Sequence, residues 1–199
     1  MKSTILSLIL SFGVMAGSAN NTYAASSANA EYTILNNIAA INKIEVHGNV
    51  ELFISDNDAQ TVKVYNKYYA ESALVQNKNG VLRISSYSPE KLVVWVNSAN
   101  LNAISAYDNA EVRSFGNVSK IEFSIELHDN ATANLSLNSY RADVTLLDQA
   151  KIELDGSVSE FNLSRSAASI IVKHDLMVFD ANSSNTITET SKKDLAHLE

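Results

Sequence analysis

Tyr107-Asp108-Asn109-Ala110, His128-Asp129-Asn130-Ala131 and Leu147-Asp148-Gln149-Ala150 are three versions of one tetrapeptide, and a decayed fourth, Arg165-Ser166-Ala167-Ala168, follows them. Their closing alanines are separated by 21, 19 and 18 residues, a period of about 20 that belongs to solenoid architectures. Around each alanine, Ile104/Ala106/Val112, Ile125/Leu127/Ala133 and Val144/Leu146/Ile152 recur with a spacing of two. These side chains share one face of a strand and are expected to point inward. The residues between them are Ser105, Tyr107 and Glu111, then Glu126, His128 and Thr132, then Thr145, Leu147 and Lys151. That set is expected to face water, with Leu147 the exception. No helical stripe interrupts the pattern, so the expected fold is all-β: a single-domain, right-handed parallel β-helix with coils of about 20 residues. One coil buries no core by itself, so several must fold together.

The aspartates are in phase with the buried residues rather than with the exposed ones. Stacked carboxylates about 4.8 Å apart repel by about 1 kcal/mol in water and more in protein. Solvent at a corner, backbone N–H donors in an Asx-type turn or a bound cation could offset this. The turn reading is preferred, which makes Asp108, Asp129, Asp148, Asn109, Asn130 and Gln149 structural turn residues and assigns no metal.

Residues 1–24 have the form of a secretory signal peptide. Lys2 precedes an apolar stretch from Ile5 to Ala16, and Thr22-Tyr23-Ala24 offers small residues before a cut after Ala24, or after Ala25. Removing Lys2 leaves 14 basic against 22 acidic residues, a net charge of −8 for the mature chain. That balance argues against nucleic acid or an anionic membrane as partner. The chain has no cysteine, which excludes disulfides, thiol catalysis, Cys-based zinc sites and an amino-terminal lipid anchor on cysteine. Export to the periplasm, the outer cell surface or the medium is expected, with no membrane span in the mature chain.

Residues 25–43 are expected to be a lead-in and amino-terminal cap, and 44–188 the β-helix. Residues 189–199 would form a polar tail or cap, in which Leu195 and Leu198 suggest a short helical turn. Strands are expected at 44–46, 50–54, 62–65, 81–84 and 92–96, with a turn at Asp56-Asn57-Asp58 and a strong turn signal at Asn79-Gly80. Asn49 and Asn109 lie 60 residues apart, about three coils of 20, so the early strands are read as continuing the same solenoid. Seven or eight coils would make a rod of roughly 35 Å.

The segments Ile44-Glu45-Val46-His47-Gly48-Asn49-Val50-Glu51-Leu52, Asn79-Gly80-Val81-Leu82-Arg83-Ile84 and Leu92-Val93-Val94-Trp95-Val96 resemble the putative auto-transporter adhesin, head GIN domain family. Its members are exported bacterial proteins, found largely in Bacteroidota. The likeness runs from about 31 to 180. It implies a right-handed parallel β-helix, export, and adhesion as the proposed role, with no agreed catalytic residues to carry over. Where many members repeat Ser/Gly-rich turns, this chain carries Asp-Asn-Ala, Asp-Gln-Ala and Ser-Ala-Ala.

The four histidines show no metal-ligand spacing, and His174-Asp175 are neighbours that a strand would point to opposite faces. No nucleophile elbow or phosphate-binding loop occurs. Parallel β-helices host polysaccharide lyases and hydrolases, and Glu51, Glu111, Asp108 and Asp129 could line one face. The arginines (Arg83, Arg113, Arg141, Arg165) do not follow the coil period. Tyr65, Tyr68, Tyr69 and Tyr107 are candidates for ligand contact, since exposed rings stack on sugars, although tyrosine also fills space on the outer face of any sheet. The leading reading is a non-enzymatic exported module, without cofactor, that presents a flat outer face to a protein or glycan. The alternatives are a polysaccharide-active enzyme and a structural envelope component that pairs through its coil edges.

Overall fold

The computed structural model describes residues 32–35, 38–65 and 73–185, all within one compact unit, Glu31–Glu199. The signal-peptide segment, Tyr68, Tyr69 and the tail 189–199 lie outside the described residues. Alternating apolar and polar residues form twelve strands, and no helix occurs among the described residues. They are β1 Thr33–Leu35, β2 Lys43–Gly48, β3 Val50–Ser55, β4 Thr61–Tyr65, β5 Ala73–Lys78, β6 Val81–Ser86, β7 Leu92–Asn97, β8 Ala103–Ala106, β9 Glu111–Leu127, β10 Thr132–Leu146, β11 Lys151–Arg165 and β12 Ile170–Asn185.

From β8 onward the chain pairs in parallel with itself one period later. Ala103 lies opposite Ser124, Glu111 opposite Thr132, Thr132 opposite Lys151, and Lys151 opposite Ile170. The nine inward residues named above are all buried, between 0% and 5% exposed. Ser105 departs from the outward set: it is 2% exposed, and its hydroxyl donates to Glu126 Oε2 at 3.3 Å. Each long strand turns a corner midway. In β10, Ala133, Leu135, Leu137 and Ser139 are buried, then Tyr140 and Arg141 both face out, and burial resumes at Ala142, Val144 and Leu146. Two successive outward residues reverse the phase, so the two halves of one strand wrap the same core.

Bulges explain the uneven period. Between Arg113/Asn134 and Asn117/Ser136 the register advances four residues on β9 and two on β10. The two extra residues of β9, with Gly116 at φ 77°, turn a 19-residue spacing into 21. The fourth repeat also shifts: Ser169, not Ala168, takes the alanine position, because Ser169 N–H donates to Ser166 O as Ala150 N–H does to Leu147 O. The last interval is therefore 19 residues rather than 18.

The expectation of a uniformly parallel coil fails in the first half, where the sheet is mixed. β1 pairs antiparallel with β4, β4 with β7, and β5 with β6. The cause is local: Asn79 (φ 53°) and Gly80 (φ 79°) make a two-residue hairpin between β5 and β6, and such a turn reverses the chain. The order of rungs is also not the order of the sequence. β2 and β3 sit between β6/β7 on one side and β8/β9 on the other. Asn49 and Asn109 are accordingly one rung apart, not three, since Val46 lies opposite Ala106. On the far side, β12 pairs only with β11 among the described strands.

The interior is one apolar cluster running from Ile41 to Leu163. At its margin lies a half-buried ion pair: Lys120 Nζ meets Asp56 Oδ1 at 2.5 Å, with 10% and 15% of the two side chains exposed. Lys120 also donates to Ala99 O at 2.6 Å, and Ser119 N–H to Asp56 at 2.9 Å. These contacts fasten the loop after β3 to the middle of β9.

Gly156 has φ 103°, and a Cβ there would lie 2.1 Å from Leu137 O, whereas a Cβ on Gly116 would meet nothing within 4 Å. Gly156→Ala is expected to destabilise by about 2–5 kcal/mol, the left-handed cost plus overpacking. Gly116→Ala should cost about 1–2 kcal/mol. Urea unfolding of both variants checks the difference.

Candidate functional site

The repeated tetrapeptide forms a stacked turn. Asp108, Asp129 and Asp148 adopt φ of 61°, 55° and 54°, a conformation Asp and Asn tolerate better than most residues. Ala110, Ala131 and Ala150 close the turns by donating to Tyr107, His128 and Leu147 carbonyls at 3.2, 2.9 and 3.1 Å. Each carboxylate reaches across to the neighbouring rung. Gly48 N–H donates to Asp108 Oδ2 at 2.9 Å, Asp108 N–H to Asp129 Oδ2 at 3.1 Å, and Asp129 N–H to Asp148 Oδ2 at 3.3 Å. The offset to carboxylate repulsion thus comes from the adjacent rung rather than from each residue's own turn. Beside them Asn130 Nδ2 donates to Asn109 Oδ1 at 3.4 Å, and Gln149 N–H to Asp129 O at 2.9 Å. Among the described residues, no three His, Asp or Glu side chains converge as metal ligands.

The tyrosine candidates differ in what they offer. Tyr107 is stacked between His47 and His128, with ring centroids 4.4 Å away on both sides. Both its faces are occupied, which leaves its edge and hydroxyl for a partner. Tyr65 lies 5.0 Å from Tyr32 in a tilted pair. A further aromatic row was not legible as a cluster in the sequence: Phe53 stacks on Trp95 at 4.8 Å, and Trp95 meets Phe115 at 5.4 Å. Phe115 stands on the bulge of β9 and is 66% exposed.

Two grooves run across the rungs, each between adjacent columns of outward side chains. The smaller, about 210 Å³, is lined by Glu111, Arg113, Thr132, Asn134, Lys151 and Glu153. Ion pairs bridge it: Lys151 to Glu153 at 2.7 Å and Arg113 to Glu111 at 3.4 Å, with Lys91 also on Glu111. Arg113 further reaches Glu51 at 3.1 Å. The hydrogen bond from Lys91 holds the Glu111 carboxyl below its ordinary range, and that from Lys151 does the same for Glu153.

The larger groove, about 450 Å³, lies on the second half of the long strands. One wall is the column Asp143, Asn162, Asn182 and the other is Thr145, Ser164, Ser184, matched rung by rung. Val144 and Leu163, between the walls, turn into the core, so backbone forms the floor on two rungs, and on the third the exposed Ser183 lies between the walls. Asn162 Nδ2 donates to Asp143 Oδ1 at 2.7 Å, and Asn182 Nδ2 to Asn162 Oδ1 at 3.4 Å. At the corner beside this groove, Arg141 Nε and Nη2 donate to Glu160 Oε2 at 3.0 and 2.8 Å, and Tyr140 donates to Oε1 at 2.7 Å. The tyrosine hydrogen bond, then the guanidinium, lowers the Glu160 pKa. Of the groove residues the sequence marked only Thr145 as outward and Val144 as inward, and none as a site. Their signal is the repeat itself: Asp143 and Asn162 each follow their turn alanine, Ala131 and Ala150, by 12 residues.

Residues 40–191 match the family described as putative auto-transporter adhesin, head GIN domain. The chain belongs to that family. Solved structures agree in fold with this head GIN domain. A putative adhesin from Parabacteroides distasonis superimposes with a TM-score of 0.62 at 18% identity, covering 76% of both chains. A putative adhesin from Parabacteroides merdae gives 0.58 at 14% identity over 78% of both. A protein from Parabacteroides distasonis described as a putative lipid binding protein gives 0.57 at 13% identity over 76% of both. No curated protein sequence matches the chain. No helix among the described residues is long and apolar enough to cross a membrane.

Two outcomes follow for the turns and the ion pairs. Asp129→Asn keeps an oxygen acceptor and tolerates positive φ, so its melting should change by less than about 1 kcal/mol equivalent. Asp129→Ala should lose about 2 kcal/mol, and chelators should leave both unchanged. Because Glu111, Glu153 and Glu160 titrate below their ordinary 4.5 in the folded chain, the unfolded chain binds more protons as pH falls. Their stabilisation is complete above about pH 4.5 and is lost as pH drops through the folded values. Thermal melts between about pH 7 and 3 should show this loss, reduced in Lys151→Gln.

Proposed function

We propose that this head GIN domain is a non-enzymatic, exported binding module whose outer sheet face engages a partner at a cell surface, with the larger groove as the contact. The observation that carries the reading is that groove's lining: two columns of hydrogen-bonding side chains, set rung by rung on a rigid sheet. Family membership supports adhesion as the role, and the signal-peptide-like amino terminus supports export. The successive parallel registers from β8 to β12 support the finer description as turns of a right-handed parallel β-helix, the hand that parallel crossovers take.

Several features favour binding over turnover. Asp143 is the one carboxylate in the groove lining, whereas glycoside hydrolysis uses a pair. Glu51 and Glu111, opposite each other in β3 and β9, are engaged by Arg113 and Lys91. Asp108 and Asp129 hold backbone N–H groups of the adjacent rung.

Arrays of immobilised glycans and extracellular proteins test the reading. Saturable binding is expected, and Ser184→Trp, which fills the groove from an exposed position, should abolish it without lowering the melting temperature. Absence of saturable binding to any surface, or release of product from a uronate polymer, would overturn the proposal.

A further inference from the structure

We infer that the larger groove takes an uncharged, linear glycan lying along the stacking direction, with one sugar unit per rung. The inference rests on the proposed reading of this face as a binding surface and names its ligand class.

Direction comes from the register. Asp143, Asn162 and Asn182 occupy one column, and Thr145 and Ser184 belong to the other. The groove therefore runs perpendicular to the strands, and its lining repeats every rung, about 4.8 Å. Its walls stand two residues apart along each strand, roughly 6.6 Å between backbone positions, so the track is one chain wide and the chain rests against the tips of the wall side chains. An extended pyranose polymer advances by close to one rung per unit, so each unit meets an equivalent set of groups. An extended peptide advances about 3.3 Å per residue and falls out of step. A peptide would also look for apolar side-chain pockets, and the apolar residues of the floor, Val144 and Leu163, are turned into the core.

Chemistry gives the class. A side-chain amide carries two donor hydrogens and two acceptor lone pairs. Asn162 spends one donor on Asp143 and accepts one bond from Asn182, which leaves a donor and an acceptor position for ligand hydroxyls. The lining holds one carboxylate and no cation, and Arg141 beside it is bound to Glu160 and Glu122. With a formal net charge of −7 for the chain, uronate and sulfated polymers are repelled. The other groove is bridged by its own ion pairs, so this one is the open track.

Titration calorimetry of the full chain with neutral cello-, manno- and xylo-oligosaccharides, from one to six units, tests the inference, with oligogalacturonates as the anionic arm. For at least one neutral series, affinity should rise several-fold per unit up to three units and then level off, because three rungs line the groove. Thr145→Val and Asn162→Ala should each weaken the trisaccharide by about fivefold, the equivalent of one net hydrogen bond, with unchanged melting for Thr145→Val and a slightly lower melting temperature for Asn162→Ala, which also gives up its bonds to Asp143 and Asn182. Equal affinity for one unit and three, or a preference for the uronate series, would overturn the linear, uncharged assignment while leaving a binding module. Binding only to arrayed proteins, lost in Ser184→Trp, would do the same. No binding to any array surface removes the parent reading as well.

Discussion

Each rung of this sheet depends on its neighbours twice over. Its backbone N–H and C=O groups are satisfied by the rungs on either side, and its inward side chains are covered only when those rungs are in register. The two demands act together because the side-chain period of a strand is two residues. A slip of one residue would turn Val144, Leu146 and their counterparts to the outside and bring polar side chains in. The bulges in β9 and β12 show how the register absorbs extra residues without that slip. In β9 a pair of residues loops out, keeping the phase. In β12 a single extra residue enters between Lys173 and Leu176, where Asp175 takes φ 46°.

The stacked turns extend the same logic to side chains. A column of carboxylates is unfavourable by itself, and here each one accepts a backbone N–H from the rung beside it, so the repeat of Asp brings its own compensation. Gly48 enters this ladder although it has no side chain, because its N–H meets Asp108. The stacked rings of His47, Tyr107 and His128 use the same rung spacing for dispersion contact. Regular stacking also produces the grooves, since columns of outward side chains two residues apart leave a channel between them. Whether a channel is open depends on the residue types. Lysine, arginine and glutamate close one by pairing across it, and asparagine, threonine and serine leave the other accessible.

Much of the second half was legible. The spacing of two around each alanine assigned the inward residues correctly, and the family resemblance rested on residues that lie in β2, β3, β6 and β7. The first half was less so, although the cue was present. Asn79-Gly80 is a hairpin signal, and a two-residue hairpin requires antiparallel strands, so it conflicted with a uniformly parallel coil. The distance from Asn49 to Asn109 misled for a different reason: a multiple of the period does not say which rungs intervene. The groove has no sequence signal of its own, because its walls are asparagine, threonine, serine and one aspartate, residue types spread over the whole chain.

The sequence by itself determined that this protein is all-β, that its later strands repeat about every twentieth residue, which residues of that repeat face the core, and to which family the chain belongs. Those properties are periodic and local, so they can be read from one strand at a time. Only the tertiary structure decided that β2 and β3 lie between rungs that come later in the chain, that the sheet is mixed, and that Tyr107 has both ring faces covered while Asn162 lines an open groove. Strand order and exposure depend on which backbone edges meet, and a periodic pattern is equally satisfied by any neighbour that offers the same register.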